Sequence, residues 1–455
     1  MITYSIIQKS QLEGALRLDA EYYQPEYLVL NSKLKTQNSK FLGDLAKSII
    51  CGPFGSAILQ EDYRERGIPL IRVADLSDWF VKDDDLVFIE ESISQEMKRY
   101  QVVEGDVVVS QRGTIAMFSK VTDKFPKWNI SANLISIKKS ENIDFDYLLA
   151  FLNSKYGIDQ LFRKLSGQVQ PKITTDDVKS ILVFVPREKI QKSISELVQQ
   201  AWREQENSKS LYSQAEDLLL EELGLKDFKP EEELSFIVNL SDVKSAHRAD
   251  AEYFQPKYEK LIKQITKKYQ TKQLKELAVV KRGSLIDPRF YNELEGTPYI
   301  RGKDFSSGRL EKSGLVYINK NFRLGKEIRV KKGDLVFSSI GSVGASALVT
   351  QEFEDSFISN NTGKISLKDK KELLPEYLAV VLRSIIGQSW FEKEASQTAQ
   401  PKISDSQVRS FYIPILPKPT QQKIADLVQK SHEARKQAKQ LLEEAKQKVE
   451  KLIEK

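Results

Sequence analysis

The chain has 455 residues, of which 40% are hydrophobic and 29% charged, and its formal net charge is +6. This length predicts two or three domains, and the composition is that of a folded globular protein, which excludes an intrinsically disordered chain. One cysteine (Cys51) and two histidines (His247 and His432) exclude a disulfide framework and a four-ligand zinc site, so no metal site is expected.

The amino-terminal stretch MITYSIIQKSQLEGALRL lacks a basic leader and a long apolar run, so it is not expected to be a signal peptide. The richest apolar runs are far shorter than the ~20 residues of a membrane span. We therefore expect a soluble, cytoplasmic protein.

The chain contains an internal duplication with a period of about 230 residues. A repeat of this length indicates two copies of a whole domain rather than a solenoid. The matching segments are Arg17–Tyr27 with Arg248–Tyr258, Ile68–Asp75 with Thr297–Asp304, Glu104–Gly113 with Lys332–Gly341, and Ser166–Ile173 with Ser396–Ile403.

The sequence patterns of the two copies predict the same order of strands and helices. Short alternating apolar runs separated by Gly and Pro predict strands, and one helix follows over 145–152 or 374–384. A Gln-Pro-Lys-Ile turn then opens a short helix, because Thr174 and Ser404 have the spacing of capping residues. A strand that ends in proline closes the globular part of each copy.

Each copy ends in a long helix with apolar or small residues at the a and d positions of a heptad. A helix of about 36 residues spans about 54 Å, and small residues at a permit close approach of two backbones. We predict that the two helices pair with each other; the alternative is that each packs only on its own domain. The predicted pairing residues are Ile194, Leu197, Ala201, Leu211, Ala215, Leu218, Ile424, Leu427, Ala434, Ala438, Leu441, Ala445 and Leu452.

The predicted fold class is α+β: two tandem mixed α/β domains, separated by two long helices that pair as an antiparallel coiled coil with pseudo-two-fold symmetry. The predicted boundaries are 1–188 for the first domain, 189–226 for the central helix, 227–418 for the second domain and 419–455 for the last helix. Two non-identical modules on a rigid rod would read two sites on one linear ligand at a fixed separation.

Cationic and amide side chains stand beside glycine or aromatic residues in several predicted loops. Such side chains suit contacts with phosphates and base edges, although ordinary surface charge is the alternative interpretation for each of them. Acidic runs at 83–85 and 231–233 indicate that the charge is segregated onto different faces. The candidate DNA-binding residues are Arg64, Arg66, Gln111, Arg112, Lys127, Asn129, Lys172, Lys281, Arg282, Arg289, Arg301, Lys303, Arg309 and Lys402.

Two motifs differ between the copies. In Cys51–Ser56 two glycines flank Pro-Phe, which predicts a tight loop that lets the backbone approach a ligand, while the counterpart at 281–284 keeps Gly-Ser and adds two cations. A functional and a structural role remain equally open for this loop. After the Gly-Asp strand, Ser110–Gly113 differs from Ser338–Gly341, as expected if the copies read different bases, and drift is the alternative explanation.

In this order, and in duplicate, the motifs resemble the specificity (S) subunit of type I restriction-modification enzymes over essentially the whole chain. The resemblance rests on the duplication, on Arg17–Pro25 with Arg248–Pro256, on Cys51–Ser56, on the Gly-Asp strand segments and on the Gln-Pro-Lys-Ile turns.

The resemblance implies two target recognition domains, each reading half of a split sequence in double-stranded DNA. It implies that the long helices fix the gap and dock two methyltransferase (M) subunits, and that restriction (R) subunits join through this core. No catalytic residue and no cofactor is then expected in this chain, and S-adenosylmethionine, ATP and Mg²⁺ are expected on the partner subunits.

The residues agree with a non-catalytic role. We find no Asn-Pro-Pro-Tyr motif for a flipped adenine and no Gly-x-Gly-x-x-Gly after a strand, and Gly363-Lys364 is followed by Ile365 rather than Ser or Thr. The alternatives are a protein-binding coiled-coil scaffold and a stand-alone enzyme that modifies nucleic acid.

Overall fold

The computed structural model describes most of the chain. Residues 166–171, which include Gln170 and Pro171 of the first Gln-Pro-Lys-Ile motif, lie outside the described residues. The chain divides into unit 1, Met1–Glu206 with Ala434–Lys455, and unit 2, Asn207–Glu433. The described residues are 4–15, 17–113, 116–165, 172–229, 231–292, 295–305, 308–312, 314–319, 322, 328–396 and 398–454.

The first repeat folds into short strands and helices. Its helices are α1 (Lys9–Ala15), α2 (Pro25–Lys35), α3 (Leu42–Leu45), α4 (Glu91–Glu96), α5 (Phe145–Leu152), α6 (Lys155–Leu165), α7 (Thr175–Lys179) and α8 (Glu188–Leu223). Its strands are β1 (Ser39–Phe41), β2 (Ser48–Cys51), β3 (Ile68–Ile71), β4 (Trp79–Phe80), β5 (Val87–Ile89), β6 (Gln101–Val102), β7 (Val107–Ser110), β8 (Phe118–Lys120), β9 (Trp128–Ile130), β10 (Leu134–Lys138) and β11 (Leu182–Phe184). They form sheets in the orders β2-β10-β7-β8-β4, β5-β3-β9-β6 and β1-β11.

The second repeat folds in the same way. Its helices are α9 (Leu240–Ala246), α10 (Pro256–Lys268), α11 (Leu274–Leu277), α12 (Pro375–Arg383), α13 (Ile385–Glu394), α14 (Asp405–Arg409) and α15 (Lys418–Glu454). Its strands are β12 (Thr271–Gln273), β13 (Ala278–Arg282), β14 (Tyr291–Asn292), β15 (Thr297–Ile300), β16 (Val316–Ile318), β17 (Leu335–Ser338), β18 (Ser346–Leu348), β19 (Phe357–Ile358), β20 (Thr362–Leu367) and β21 (Tyr412–Pro414). The sheet orders are β13-β20-β17-β18, β14-β16-β15-β19 and β12-β21.

One central strand in each unit is buried on both faces. Successive side chains of a strand point to opposite sides of its sheet. Val107 and Val109 of β7 therefore pack in one apolar cluster, which includes all the apolar residues of α5, and Val108 packs in another. The alternating residues of β17 divide between two clusters in the same way. This double burial explains the continuous apolar run that follows each Gly-Asp pair.

The Gly-Asp pair forms the turn that leads into each central strand. Gly105 and Gly333 have φ angles of 87° and 86°, a region that favours glycine. The buried carboxylate of Asp106 accepts a hydrogen bond from the backbone N–H of Val103 at 3.0 Å. Asp334 accepts from the N–H three positions before it at 2.9 Å. The turn therefore fixes where the strand begins.

The two long helices pair in antiparallel orientation, as predicted. In unit 2 the hydroxyl of Ser431 donates to the carbonyl oxygen of Ser208 at 2.7 Å, and the two hydroxyl oxygens are 3.0 Å apart. The early part of α8 shares a core with the late part of α15 in unit 1, and the late part of α8 shares a core with the early part of α15 in unit 2. The shared buried residues are Ile194, Val198, Ala201, Ala438, Leu442, Ala445, Val449 and Ile453 in unit 1, and Ala215, Leu219, Leu223, Ile424 and Val428 in unit 2.

The buried stripe on these helices is wider than a coiled-coil seam. The predicted a and d residues are buried at Ile194, Ala201, Ala215, Ile424, Ala434, Ala438 and Ala445, and half-buried at Leu197, Leu211, Leu218, Leu427, Leu441 and Leu452. The residue after a half-buried d position is often more deeply buried, as at Val198 and Leu219. Each helix also packs against the apolar core of a globular part, which requires a broader apolar face than a two-helix contact.

Replacing Ala201 by leucine should destabilise the protein. Ala201 is fully buried in the core shared by α8 and α15, so added methylenes force neighbouring groups apart at a cost of about 1–3 kcal/mol in the free energy of unfolding. Urea denaturation followed by circular dichroism measures the change. Gln200→Leu, at the adjacent exposed position, is the control and should shift that free energy by less than ~0.5 kcal/mol. Equal stabilities of the two variants would contradict the close packing.

Gly52→Ala should also destabilise the protein, and Gly55→Ala should not. A Cβ on Gly52, which follows β2, would lie 2.3 Å from the carbonyl oxygen of Ser131, whereas a Cβ on Gly55 would meet no described atom within 4 Å. We expect Gly52→Ala to cost about 1–3 kcal/mol because backbone must shift to admit the methyl group. Differential scanning calorimetry of the two variants checks this. A Gly52→Ala protein that melts at the Gly55→Ala temperature would show that the loop is not held so closely.

Candidate nucleic-acid interface

Four chain segments meet where β7 ends. The backbone N–H of Gln111 donates to the carbonyl oxygen of Asn133 at 2.7 Å, and the N–H of Ile173 donates to the carbonyl oxygen of Gln111 at 3.0 Å. The Gln111 amide also lies 3.4 Å from the sulfur of Cys51. We call this region edge 1. It consists of Cys51–Gly52, Gln111–Gly113, Ser131–Asn133 and Lys172–Ile173.

Unit 2 repeats the same backbone hydrogen bonds at the end of β17. The N–H of Ser339 donates to the carbonyl oxygen of Asn361 at 2.9 Å, and the N–H of Ile403 donates to the carbonyl oxygen of Ser339 at 3.0 Å. This region, edge 2, therefore has the same backbone frame as edge 1. It consists of Lys281–Gly283, Ser338–Gly341, Ser359–Asn361 and Lys402–Ile403.

The side chains on this common frame differ between the units. At the position of Cys51, unit 2 has Arg282, whose guanidinium donates to the carbonyl oxygen of Ile403 at 2.8 Å and to the Asp405 carboxylate at 3.1 Å. At the position of Arg112, unit 2 has Ile340. The structure thus joins the two motifs that differ between the copies into one local surface in each unit.

Four of the candidate cations lie on the edges without an ion pair to any described residue. Arg112, Lys281 and Lys402 are exposed, and Lys172 is half-buried. A cation with no carboxylate partner attracts an anionic ligand without first breaking an internal ion pair. These four are the candidates that the structure leaves best placed for phosphate or base contacts.

Arg301 is bound within its own unit. Its guanidinium donates to Asp304 at two distances of 3.0 Å. Arg72 and Asp75, the equivalent pair in unit 1, are joined in the same way at 3.0 and 2.9 Å. Hydrogen bonding to Asp75 raises the pKa of the Arg72 guanidinium. Because both units contain this bond, it belongs to the shared framework.

Three further candidates form ion pairs near the surface. Arg64 lies 2.8 Å from Glu90, Arg289 lies 2.7 Å from Asp287, and Lys127 is bonded to Glu91. The bond from Lys127 lowers the pKa of the Glu91 carboxyl. These cations are held in place by acidic neighbours that remain partly in water.

Two amide candidates are buried. Asn129 is fully buried, and its side-chain oxygen accepts a hydrogen bond from the Ser94 hydroxyl at 2.7 Å. Gln111, in edge 1, is 7% exposed, and its amide contacts the Cys51 sulfur. Of the remaining candidates, Arg66 and Lys303 are exposed, and Arg309 is half-buried.

Sequence reasoning missed the asparagines that complete the edges. Asn133 and Asn361 each accept the hydrogen bond that positions the tip of the central strand. A signal was present, because Ile130-Ser-Ala-Asn133 recurs as Ile358-Ser-Asn-Asn361 at the period of the duplication. Comparison of the copies residue by residue would have found it.

Within the described residues, no group of three His, Cys, Asp or Glu side chains is arranged to hold a metal ion. No helix in the described part of the chain combines the length and apolar character needed to cross a membrane.

Comparison with known proteins identifies the family. The model described as "Type I restriction modification DNA specificity domain" matches twice, over residues 35–216 and 266–447. Corresponding ends of the two matches lie 231 positions apart, as do Arg17 and Arg248 of the internal duplication. No curated protein matches the chain.

Two solved structures are similar to the chain at low identity. The type I restriction-modification S subunit from M. genitalium has 14% sequence identity and a TM-score of 0.39, and the match covers 91% of this chain and 94% of that one. The HsdS subunit from Thermoanaerobacter tengcongensis has 13% identity and a TM-score of 0.29, with 91% and 95% covered.

The two matches to the family model together span about four fifths of the chain. The chain therefore belongs to the type I restriction-modification DNA specificity family, whose members are the non-catalytic DNA-recognition subunits of these systems.

Proposed function

We propose that each unit reads one half of a bipartite target in double-stranded DNA through its edge. The observation that carries this proposal is that one backbone frame presents different side chains in the two units, as with Arg112 against Ile340. A shared frame with changed side chains is what two readers of different bases require, because base edges are distinguished by side-chain donors, acceptors and apolar groups.

The candidate residues then divide into three roles. Arg112 contacts bases, and Lys172, Lys281 and Lys402 contact phosphates, with Arg66, Lys303 and Arg309 as further cationic contacts. Arg64, Lys127 and Arg289 each leave the exposed carboxylate with which they are paired and bind a DNA phosphate instead. The supports that hold the edges and loops are Gln111, Asn129, Arg282 and Arg301.

We propose that the paired helices set the distance between the half-sites. The recognition domains are residues 1–188 and 227–418, and the spacers are residues 189–226 and 419–455. The helices also provide the docking surface for two M subunits, and R subunits join through that core. The partner chains carry S-adenosylmethionine, ATP and Mg²⁺, and the complex acts in the cytoplasm, where its DNA is.

Removing edge cations should weaken DNA binding in two distinguishable ways. Lys172→Ala and Lys402→Ala should each lower affinity for all duplexes, and should reduce the slope of log K against log salt by about 0.9 per lost phosphate contact. Arg112→Ala should cost about 1–3 kcal/mol on the target and relax base preference in one half-site only. Fluorescence anisotropy of the complex with its M subunit, over a series of salt concentrations, measures both effects.

The control for these variants is Lys263→Ala, because Lys263 is an exposed cation on α10 outside both edges. Its affinity and salt slope should match the wild type. If Arg112, Lys172 and Lys402 can all be replaced without loss of affinity or base preference, the edges are not the reading surface, and a protein-binding scaffold becomes the better description.

Lengthening both long helices should widen the gap in the recognised sequence. One heptad added after Ser208 and one before Ser431 keeps the antiparallel contacts in register, because these residues face each other. Seven residues add about 10 Å, or about three base pairs at 3.4 Å each. Mapping of methylated sites in cells that carry the variant reads out the gap.

The bases of the half-sites should stay the same in this experiment. Changed half-site bases with an unchanged gap would contradict the spacer role. A heptad added to one helix only is the control, and it should lower the thermal stability because the apolar residues beyond the insertion lose their partners.

A further inference from the structure

A large apolar side chain projects into solvent at the same loop position in both units. Phe54 is 88% exposed and Leu285 is 73% exposed. Each comes two positions after an edge glycine, Gly52 or Gly283, whose N–H donates to the carbonyl oxygen of the first residue of β10 or its equivalent in β20. The exposure is therefore a property of the repeated framework rather than of one loop.

Both loops are anchored next to the exposed residue. In unit 1, Pro53 is buried, and the carbonyl oxygen of Phe54 accepts a hydrogen bond from the N–H of Ala57 at 2.9 Å. In unit 2, Ile286 is 1% exposed, and the N–H of Ser284 donates to the carbonyl oxygen of Ile358 at 3.2 Å. In each unit, the exposed apolar side chain therefore lies on a loop in which a neighbouring residue is buried and the backbone is hydrogen-bonded.

The glycines hold these loops close to the edges. A Cβ on Gly52 would lie 2.3 Å from the Ser131 carbonyl oxygen, and a Cβ on Gly283 would lie 2.1 Å from that of Ile358. Phe54 and Leu285 therefore each follow, by two residues, a glycine that is packed against the backbone of its edge. An apolar group near cations that form no ion pair with a described residue complements duplex DNA, in which base faces and edges lie between phosphates.

We infer that Phe54 and Leu285 are apolar wedges, each of which inserts its side chain between bases of the half-site read by its own unit. The edge lysines, Lys172 in unit 1 and Lys281 and Lys402 in unit 2, hold the flanking phosphates. Phenylalanine and leucine are side chains that proteins use to separate stacked base steps. This inference rests on the proposed reading of one half-site by each unit. It adds to the proposed DNA contacts two side chains that carry no charge and no hydrogen-bonding group.

The test uses the full chain in complex with its M subunit and a duplex that carries the target found by methylation mapping. One adenine of each half-site is replaced in turn by 2-aminopurine, whose fluorescence rises when it is unstacked. The variants are Phe54→Ala and Leu285→Ala. The matched controls are Phe41→Ala, 53% exposed on β1, and Val279→Ala, 43% exposed near the start of β13.

Phe54→Ala should raise the Kd for the target by about 5- to 100-fold, the range expected when one base contact of this kind is lost. At one half-site only, Phe54→Ala should reduce the discrimination between bases and abolish the 2-aminopurine signal. Leu285→Ala should have the same effects at the other half-site. The salt slope should not change, since no phosphate contact is removed. Phe54→Trp should retain binding, and both controls should behave as the wild type.

Different outcomes separate this inference from the function on which it rests. If the wild-type complex discriminates its target and Phe54→Ala and Leu285→Ala bind within about twofold of it, the wedges are wrong and the proposed function stands. If the wild-type complex binds all sequences equally, the proposed function fails. If Phe54→Ala or Leu285→Ala no longer assembles with the M subunit, the exposed residue contacts a protein, which also overturns the inference.

Discussion

The placement of each edge depends on the buried aspartate that starts the central strand. Asp106 accepts hydrogen bonds from the backbone N–H groups of Val103 and Lys139 at 3.0 and 2.9 Å, and it pairs with Lys138 at 2.9 Å. A strand that is apolar on both faces gains little register information from its own side chains, since a shift by one residue still buries apolar groups. The fixed carboxylate supplies that information. The tip of the strand, five residues later, is consequently held at a defined place in each unit.

A tip fixed by backbone bonds leaves its side chains free to vary. The bonds that join Gln111 to Asn133 and Ile173 involve main-chain atoms, and the equivalent bonds in unit 2 form with Ser339 in place of glutamine. Substitution at these positions therefore leaves the frame intact, as the two copies themselves demonstrate. The edge side chains can therefore differ while the fold is kept, which is what the proposed reading of different bases by the two units requires.

The sequence predicted the repeat, the fold class and the antiparallel pairing of the long helices because all three depend on patterns that extend over many residues. A sequence can separate only some of the candidate cations, because whether an arginine is paired depends on contacts that are partly local and partly distant. Arg301 and Asp304 are three positions apart, and Arg72 with Asp75 repeats this spacing, so a shared structural role was visible in the sequence. Arg282, in contrast, pairs with Asp405 more than 120 positions away, which no local pattern indicates.

Burial decides which paired cations remain available to DNA. An ion pair in water contributes at most about 1 kcal/mol, so its cation can change partners at little cost, whereas a buried carboxylate left without its partner costs about 3–5 kcal/mol. Arg289 and Asp287 have side chains 84% and 40% exposed, but Asp304 beside Arg301 is only 4% exposed. A phosphate can therefore replace Asp287 as the partner of Arg289, and it cannot replace Asp304 without leaving a buried charge unpaired. The same comparison places Arg64, beside the half-exposed Glu90, among the cations that can turn toward a nucleic acid.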